Sequence, residues 1–105
     1  MVDVRRGDIV YLKRTEDPSS RRPYVVVSND IGNRHSDICL VVPLTSKHKK
    51  PDMPTHTFVG YHDSMVMCEQ VHTFRQGDLE RVAYHLDGED MNRITRCLKV
   101  SIGGL

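Results

Sequence analysis

Three short stretches of the chain combine residue types that act on anionic substrates. In Arg21-Arg22-Pro23 the proline holds the residue before it extended, so Arg22 has a defined backbone from which its planar guanidinium can grip two phosphate oxygens. In Pro43-Leu44-Thr45-Ser46 an apolar run ends in two hydroxyls able to donate to a phosphate oxygen, and Lys47, Lys49 and Lys50 follow at once. Cys68-Glu69-Gln70-Val71-His72 turns abruptly from apolar to polar, and Glu69 and Gln70 can hydrogen-bond an unpaired base or a ribose hydroxyl. Each stretch also has an inert reading: a solvated arginine, hydroxyls that satisfy loop backbone, a glutamate buried against an arginine.

Other chemistries find no pattern. The six histidines, His35, His48, His56, His62, His72 and His85, show neither the helical i, i+4 pairing nor the close Cys/His spacing of zinc sites. No glycine-rich phosphate loop, nucleophile elbow or cysteine-protease signature is present. A reaction without metal or cofactor is expected. Cys39, Cys68 and Cys97 are odd in number and far apart, which argues for buried, reduced thiols rather than a disulfide framework.

The elements that must position these residues are mostly strands. Ile9-Val10-Tyr11-Leu12, Tyr24-Val25-Val26-Val27 and Ile38 to Leu44 read as the first three, with a helical turn or tight loop at Asn29 to Arg34. The second and third are apolar on both faces and need cover on each, from a curled sheet, a docked helix or a partner chain. Ser46 to Pro54, basic and twice interrupted by proline, reads as a mobile surface loop. Thr55 to Val59, Met65 to Cys68 and Arg81 to Leu86 read as three more strands. Asp87 is placed to cap a terminal helix in which Met91, Ile94, Leu98, Ser101 and Ile102 recur at helical spacing, ended by Gly103-Gly104. About six strands and one helix predict a small, strongly curved antiparallel sheet or barrel with the helix packed on it.

At 105 residues, 38% hydrophobic and 28% charged, the chain is expected to be one globular domain, residues 1–105. It has no apolar run near the roughly 18 residues of a membrane span, and Met1 to Arg6 does not read as a signal peptide, so the cytoplasm is the expected compartment. The net charge is only +1, but residues 1–50 carry ten Lys/Arg against six Asp/Glu and residues 51–105 carry five against eight. This local basic excess suits an anionic partner meeting one face.

Arg6-Gly7-Asp8-Ile9-Val10, Arg22-Pro23, Val27-Ser28-Asn29-Asp30, Asn33-Arg34, Pro43-Leu44-Thr45-Ser46, Pro54-Thr55-His56, Glu69-Gln70 and Leu98-Lys99-Val100-Ser101-Ile102 together resemble, in order and spacing, the MazF/PemK/Kid toxins. The likeness covers nearly the whole chain. It implies a mainly β, SH3-like barrel with a C-terminal helix, a homodimer, and the toxin of a type II toxin-antitoxin system. The implied activity is that of a sequence-specific, ribosome-independent mRNA interferase that cuts single-stranded RNA without a metal. The implied partner is an antitoxin whose acidic, partly disordered tail occupies the RNA groove.

The resemblance makes Arg22 and Thr45 the catalytic pair. In the implied reaction the adjacent ribose 2′-hydroxyl attacks phosphorus, giving a 2′,3′-cyclic phosphate and a 5′-hydroxyl end. Arg22 stabilises the charge growing on phosphorus, and Thr45 orients a non-bridging oxygen or the attacking hydroxyl. Substrate contacts fall to Asn33, Ser46, Lys47, Lys49, Lys50, Glu69, Gln70 and His72. Three features depart from the family pattern. Asp17-Pro18-Ser19-Ser20-Arg21 replaces a Glu-Gln-Gly-Gly-type stretch, and Met67 and Glu69 stand where Kid-like members carry an arginine and an aspartate. His72 stands where relatives often have arginine, so that phosphate contact is either lost or made only when the histidine is protonated. The alternatives are a non-enzymatic toxin of the same shape that grips a topoisomerase, as CcdB does, and an RNA-binding module without cleavage.

Overall fold

A computed structural model describes residues 3–104, so Met1 and Val2 of the N-terminal segment, and Leu105, lie outside it. In chain order the elements are β1 (Asp8–Leu12), a 3-10 turn (Pro18–Arg21), β2 (Tyr24–Val26), α1 (Asp30–His35) and β3 (Ile38–Thr45). They continue with β4 (His56–Val59), β5 (Ser64–Met67), β6 (His72–Arg75), a second 3-10 turn (Gln76–Asp78), β7 (Leu79–His85) and α2 (Gly88–Ser101). The six expected strands and both helical segments are present. Strand β6 is an addition.

The sheet is antiparallel throughout, and its strand path runs β4-β5-β3-β2-β1-β7, with β6 paired to β3 off that path. The expected closed SH3-like barrel is not formed. Strands β4 and β7 end the path and do not pair with each other, so the fold is a mixed one, dominated by an open sheet with a C-terminal helix. The physical reason lies in what covers the apolar face. Helix α2 brings Ile94 and Cys97 onto Ile9, Val25, Val42, Leu44 and Val66, and it packs along β4. The helix hides the surface that closure would otherwise have to hide.

Alternation in the doubly apolar β2 splits the core in two. Val25 faces the α2 side, whereas Tyr24 and Val26 join Val4, Val10, Cys39, Val41 and Leu79 in a second cluster that Leu12 and Phe74 border. Strand β3 serves three neighbours: β2 through Val41 to Pro43, β6 through Ile38 to Val41, and β5 through Leu44 and Thr45. Leu44 donates its N–H toward the β2 side, to the Pro23 carbonyl at 3.0 Å, so the nitrogen of Pro43 faces the other edge. There β6 has ended and β5 has not begun, and a residue without an N–H leaves no donor orphaned.

Asp87 caps α2 by accepting from the Asp90 N–H at 2.8 Å, and Gly103, at φ +86°, turns the chain away after the helix. Ile94 is fully buried, but Ile102, which shares its helical spacing, lies past the last turn and is 77% exposed. Cys39, Cys68 and Cys97 are all free and buried, and burial pushes the Cys39 and Cys68 thiols up to about 11 and about 12. Among the described residues no helix is long and apolar enough to cross a membrane.

Candidate functional site

Arg22 enters β2 from a loop that ties itself down. The buried Ser20 hydroxyl donates to the Asp17 carbonyl (2.8 Å), lies 3.2 Å from the Thr15 carbonyl, and accepts from the Thr15 N–H (3.1 Å). The loop that departs from the family pattern therefore has a fixed form of its own, the 3-10 turn Pro18–Arg21. Arg22 follows that turn, is exposed, and among the described residues makes no hydrogen bond or ion pair.

Thr45 ends β3 beside Met65 of β5, and its Oγ1 accepts from the Lys47 N–H at 3.1 Å. That bond uses an oxygen lone pair and leaves the hydroxyl hydrogen available to a phosphate oxygen. Arg22 and Thr45 line one open groove of about 580 Å³, together with Lys47, Lys49, Lys50, Met53, His56, Met65, Met67, Glu69 and Gln70. Four basic side chains and one carboxylate thus face a common space large enough for a nucleotide.

The segment after β3 is anchored rather than free along its length. The His48 ring meets the Asp63 carbonyl at 2.8 Å, the Met53 N–H donates to the Lys50 carbonyl at 3.2 Å, and the ring of His48 packs edge-on to Phe58. Glu69 sits just beyond β5, where Thr55 Oγ1 donates to its Oε1 at 3.0 Å and the His56 ring reaches its Oε2 at 3.1 Å. Burial opposes ionisation of this carboxyl, but hydrogen bonds from His56, from its own backbone and from Thr55 outweigh it and hold the group below the usual range. Gln70 extends from the same turn, its amide 3.4 Å from Glu69 Oε2.

Three of the residues expected to contact substrate do not line this groove. Ser46 is exposed on the loop but does not line the groove. His72 opens β6, where it pairs with Val41 of β3, and sets its ring 6.0 Å from both Tyr24 and Phe74. Asn33 is buried in α1, its amide donating to the Ser28 carbonyl at 3.0 Å and to Asp30 Oδ1 at 3.3 Å. It borders a second cavity of about 570 Å³ with Arg5, Arg34, His35 and Gln76. Conversely, the groove includes Met53, His56, Met65 and Met67, which the residue types did not single out. Thr55-His56 carried one signal, since the β4–β5 hairpin sets His56 opposite Met67, two residues from Glu69. Among the described residues no group of three or more His, Cys, Asp or Glu side chains is placed to hold a metal ion.

A family model described as "PemK-like, MazF-like toxin of type II toxin-antitoxin system" matches residues 5–102. The chain is 32% identical over 109 residues to the endoribonuclease EndoA of Bacillus subtilis (strain 168), with 94% of each covered. Among solved structures it resembles a mycobacterial endoribonuclease (TM-score 0.83, 22% identity, 99% of this chain and 95% of that one). It also resembles a mycobacterial endoribonuclease held in complex with its cognate antitoxin (TM-score 0.82, 22% identity, 95% of each chain). At these identities the solved structures show the shared fold.

Proposed function

The chain belongs to the PemK-like, MazF-like toxins of type II toxin-antitoxin systems, and from that membership we propose that its groove cuts single-stranded RNA at short sequences without a metal. One observation carries the reading: Arg22, unpaired among the described residues, opens into the same groove as the Thr45 hydroxyl. The ribose 2′-hydroxyl beside the scissile phosphate supplies the nucleophile, so the protein aligns the attack and stabilises the charge that gathers on phosphorus. Arg22 makes a two-pronged contact to the non-bridging oxygens that strengthens as that charge grows. Thr45 donates to one of them or holds the attacking hydroxyl in line. A threonine is a poor base and an arginine stays charged at neutral pH, so neither moves the proton efficiently.

Glu69 and Gln70 offer acceptor and donor groups to an unpaired base or a ribose hydroxyl, and the lysines follow the backbone. Ser46, His72 and Asn33 are proposed to reach RNA only outside this groove. The same basic surface suits the acidic tail of an antitoxin, in line with the relative solved with its own. We assign the chain to one domain, working as a homodimer in the cytoplasm.

The test is cleavage of a single-stranded transcript in EDTA with sequencing of the new 5′ ends. Discrete cuts at one short motif, leaving 5′-hydroxyl ends, are expected. Intact RNA together with inhibition of a topoisomerase would overturn the proposal. Substituting Lys47, Lys49 or Lys50 by alanine is expected to weaken RNA binding evenly across sequences. Each lost phosphate contact should flatten the plot of log K against log salt by about 0.7, a change read from binding isotherms at several salt concentrations.

A further inference from the structure

His56 is the residue of the groove whose bonding the cleavage scheme leaves unused. It opens β4, and its side chain is only 5% exposed. Its Nδ1 lies 2.9 Å from the Lys50 carbonyl oxygen, and its Nε2 lies 3.1 Å from Oε2 of Glu69. A carbonyl oxygen only accepts, and an ionised carboxylate only accepts. A neutral imidazole has one N–H and cannot donate to both. The imidazolium has two and satisfies both partners at once.

We propose that His56 is a positioning residue of the RNA groove: as the imidazolium it clasps the lysine-bearing loop, through the Lys50 carbonyl, to the carboxylate of Glu69. The inference rests on the groove being the RNA site. The clasp holds two groups that contact substrate, the Lys47 to Lys50 segment and Glu69, at a fixed spacing. Lys50 itself adopts φ +52°, a left-handed backbone that aims its carbonyl at the ring while also accepting from the Met53 N–H. Thr55 secures the second oxygen of Glu69, so the carboxylate is gripped from two sides by adjacent residues of one strand entrance.

The charged and titratable groups around the ring come from every element packed against it. Glu69 stands beyond β5, Lys47, Lys49 and Lys50 lie on the loop, and Arg22 faces the same groove from the start of β2. On α2, the Cys97 thiol donates to the His56 carbonyl at 3.6 Å, kept protonated by burial, with Arg96 beside it. When the ring proton leaves, one of the two contacts becomes acceptor against acceptor and opens. The loop or the carboxylate then moves, and RNA binding suffers more than the chemical step.

Titration of the ¹⁵N-labelled protein, free of RNA, reads the clasp directly. Both ring nitrogens are expected to carry hydrogen on the acid side. As the ring titrates, the backbone amides of Lys50, Met53 and Glu69 should shift with the same midpoint. Across that midpoint KM for single-stranded RNA should rise by about tenfold, the scale of one hydrogen bond to a charged group, with kcat changed far less. In His56→Gln the side-chain amide has its nitrogen at one end and an acceptor oxygen at the other, so it cannot meet both acceptors, and KM should be high and independent of this titration. Glu69→Gln serves as the second variant should His56→Gln not fold, because its side-chain amide can donate to a neutral ring. There the loop shifts and the KM step should vanish. A ring with one N–H on the acid side, or a KM step that survives in His56→Gln or Glu69→Gln, would overturn the clasp. If wild-type protein cuts no RNA, the reading of the groove falls, while the ring spectrum and the loop shifts still decide whether the clasp exists.

Discussion

Replacing Arg22 by alanine is expected to lower the rate of RNA cleavage by about 10²–10³, the loss of roughly 3–4 kcal/mol that follows removal of one preorganised donor to a developing oxyanion. The substitution should leave the fold untouched, because the side chain is exposed and among the described residues makes no hydrogen bond or ion pair. The loss should fall on kcat, with KM little changed, since the guanidinium gains most of its contact as charge builds on phosphorus. Arg22→Lys keeps the charge but not the planar fork, and only part of the rate should return. Single-turnover cleavage of a fluorescent oligonucleotide, with circular dichroism as the control for folding, separates these outcomes. Full activity in Arg22→Ala would remove the residue from the catalytic site.

The second large effect is expected one residue before the other catalytic candidate. Leu44 is 1% exposed and packs among Ile9, Val25, Val42, Val66 and Ile94, between the sheet and α2. Leu44→Ala removes most of a well-packed side chain and leaves a cavity that its neighbours fill only in part, at a cost of about 2–5 kcal/mol. For a small domain that is a large share of the total stability. The urea midpoint should drop while the slope of the transition holds. Cleavage should weaken as well under conditions where the variant stays folded, because Thr45 follows Leu44 in β3 and its hydroxyl is aimed by that packing. A loss of stability below about 1 kcal/mol would show that the cavity collapses and that Leu44 does not fix the end of β3.

Both effects concern residues visible in the sequence. Arg22 stood out by its proline, and the Leu44-Thr45 step by the change from apolar run to hydroxyl. Local signals of this kind are carried by neighbours along the chain, as are the Asp87 cap and the valine-rich strands. Strand β6 escaped for the opposite reason. His72-Thr73-Phe74-Arg75 holds one large apolar residue, and what makes it a strand is the backbone edge that Ile38 to Val41 presents more than thirty residues earlier. Ile102 misled because helical spacing persists beyond the point where the helix ends.

The contrast is sharpest at the groove. The order of residues along the chain sets which groups are present: a fork for phosphate, a hydroxyl at a strand end, a cluster of lysines, and a carboxylate with an amide beside it. The succession of motifs likewise places the chain in its family. How those groups combine depends on the packed fold. Packing leaves the sheet open, because α2 rather than strand pairing covers the core, and it keeps Ser46, Asn33 and His72 out of the groove's lining. It also brings His56 between Lys50 and Glu69, six and thirteen residues away. Chain neighbours settle residue type and local geometry, but contacts across a turn or a sheet depend on register and cover, which form only when the whole domain packs.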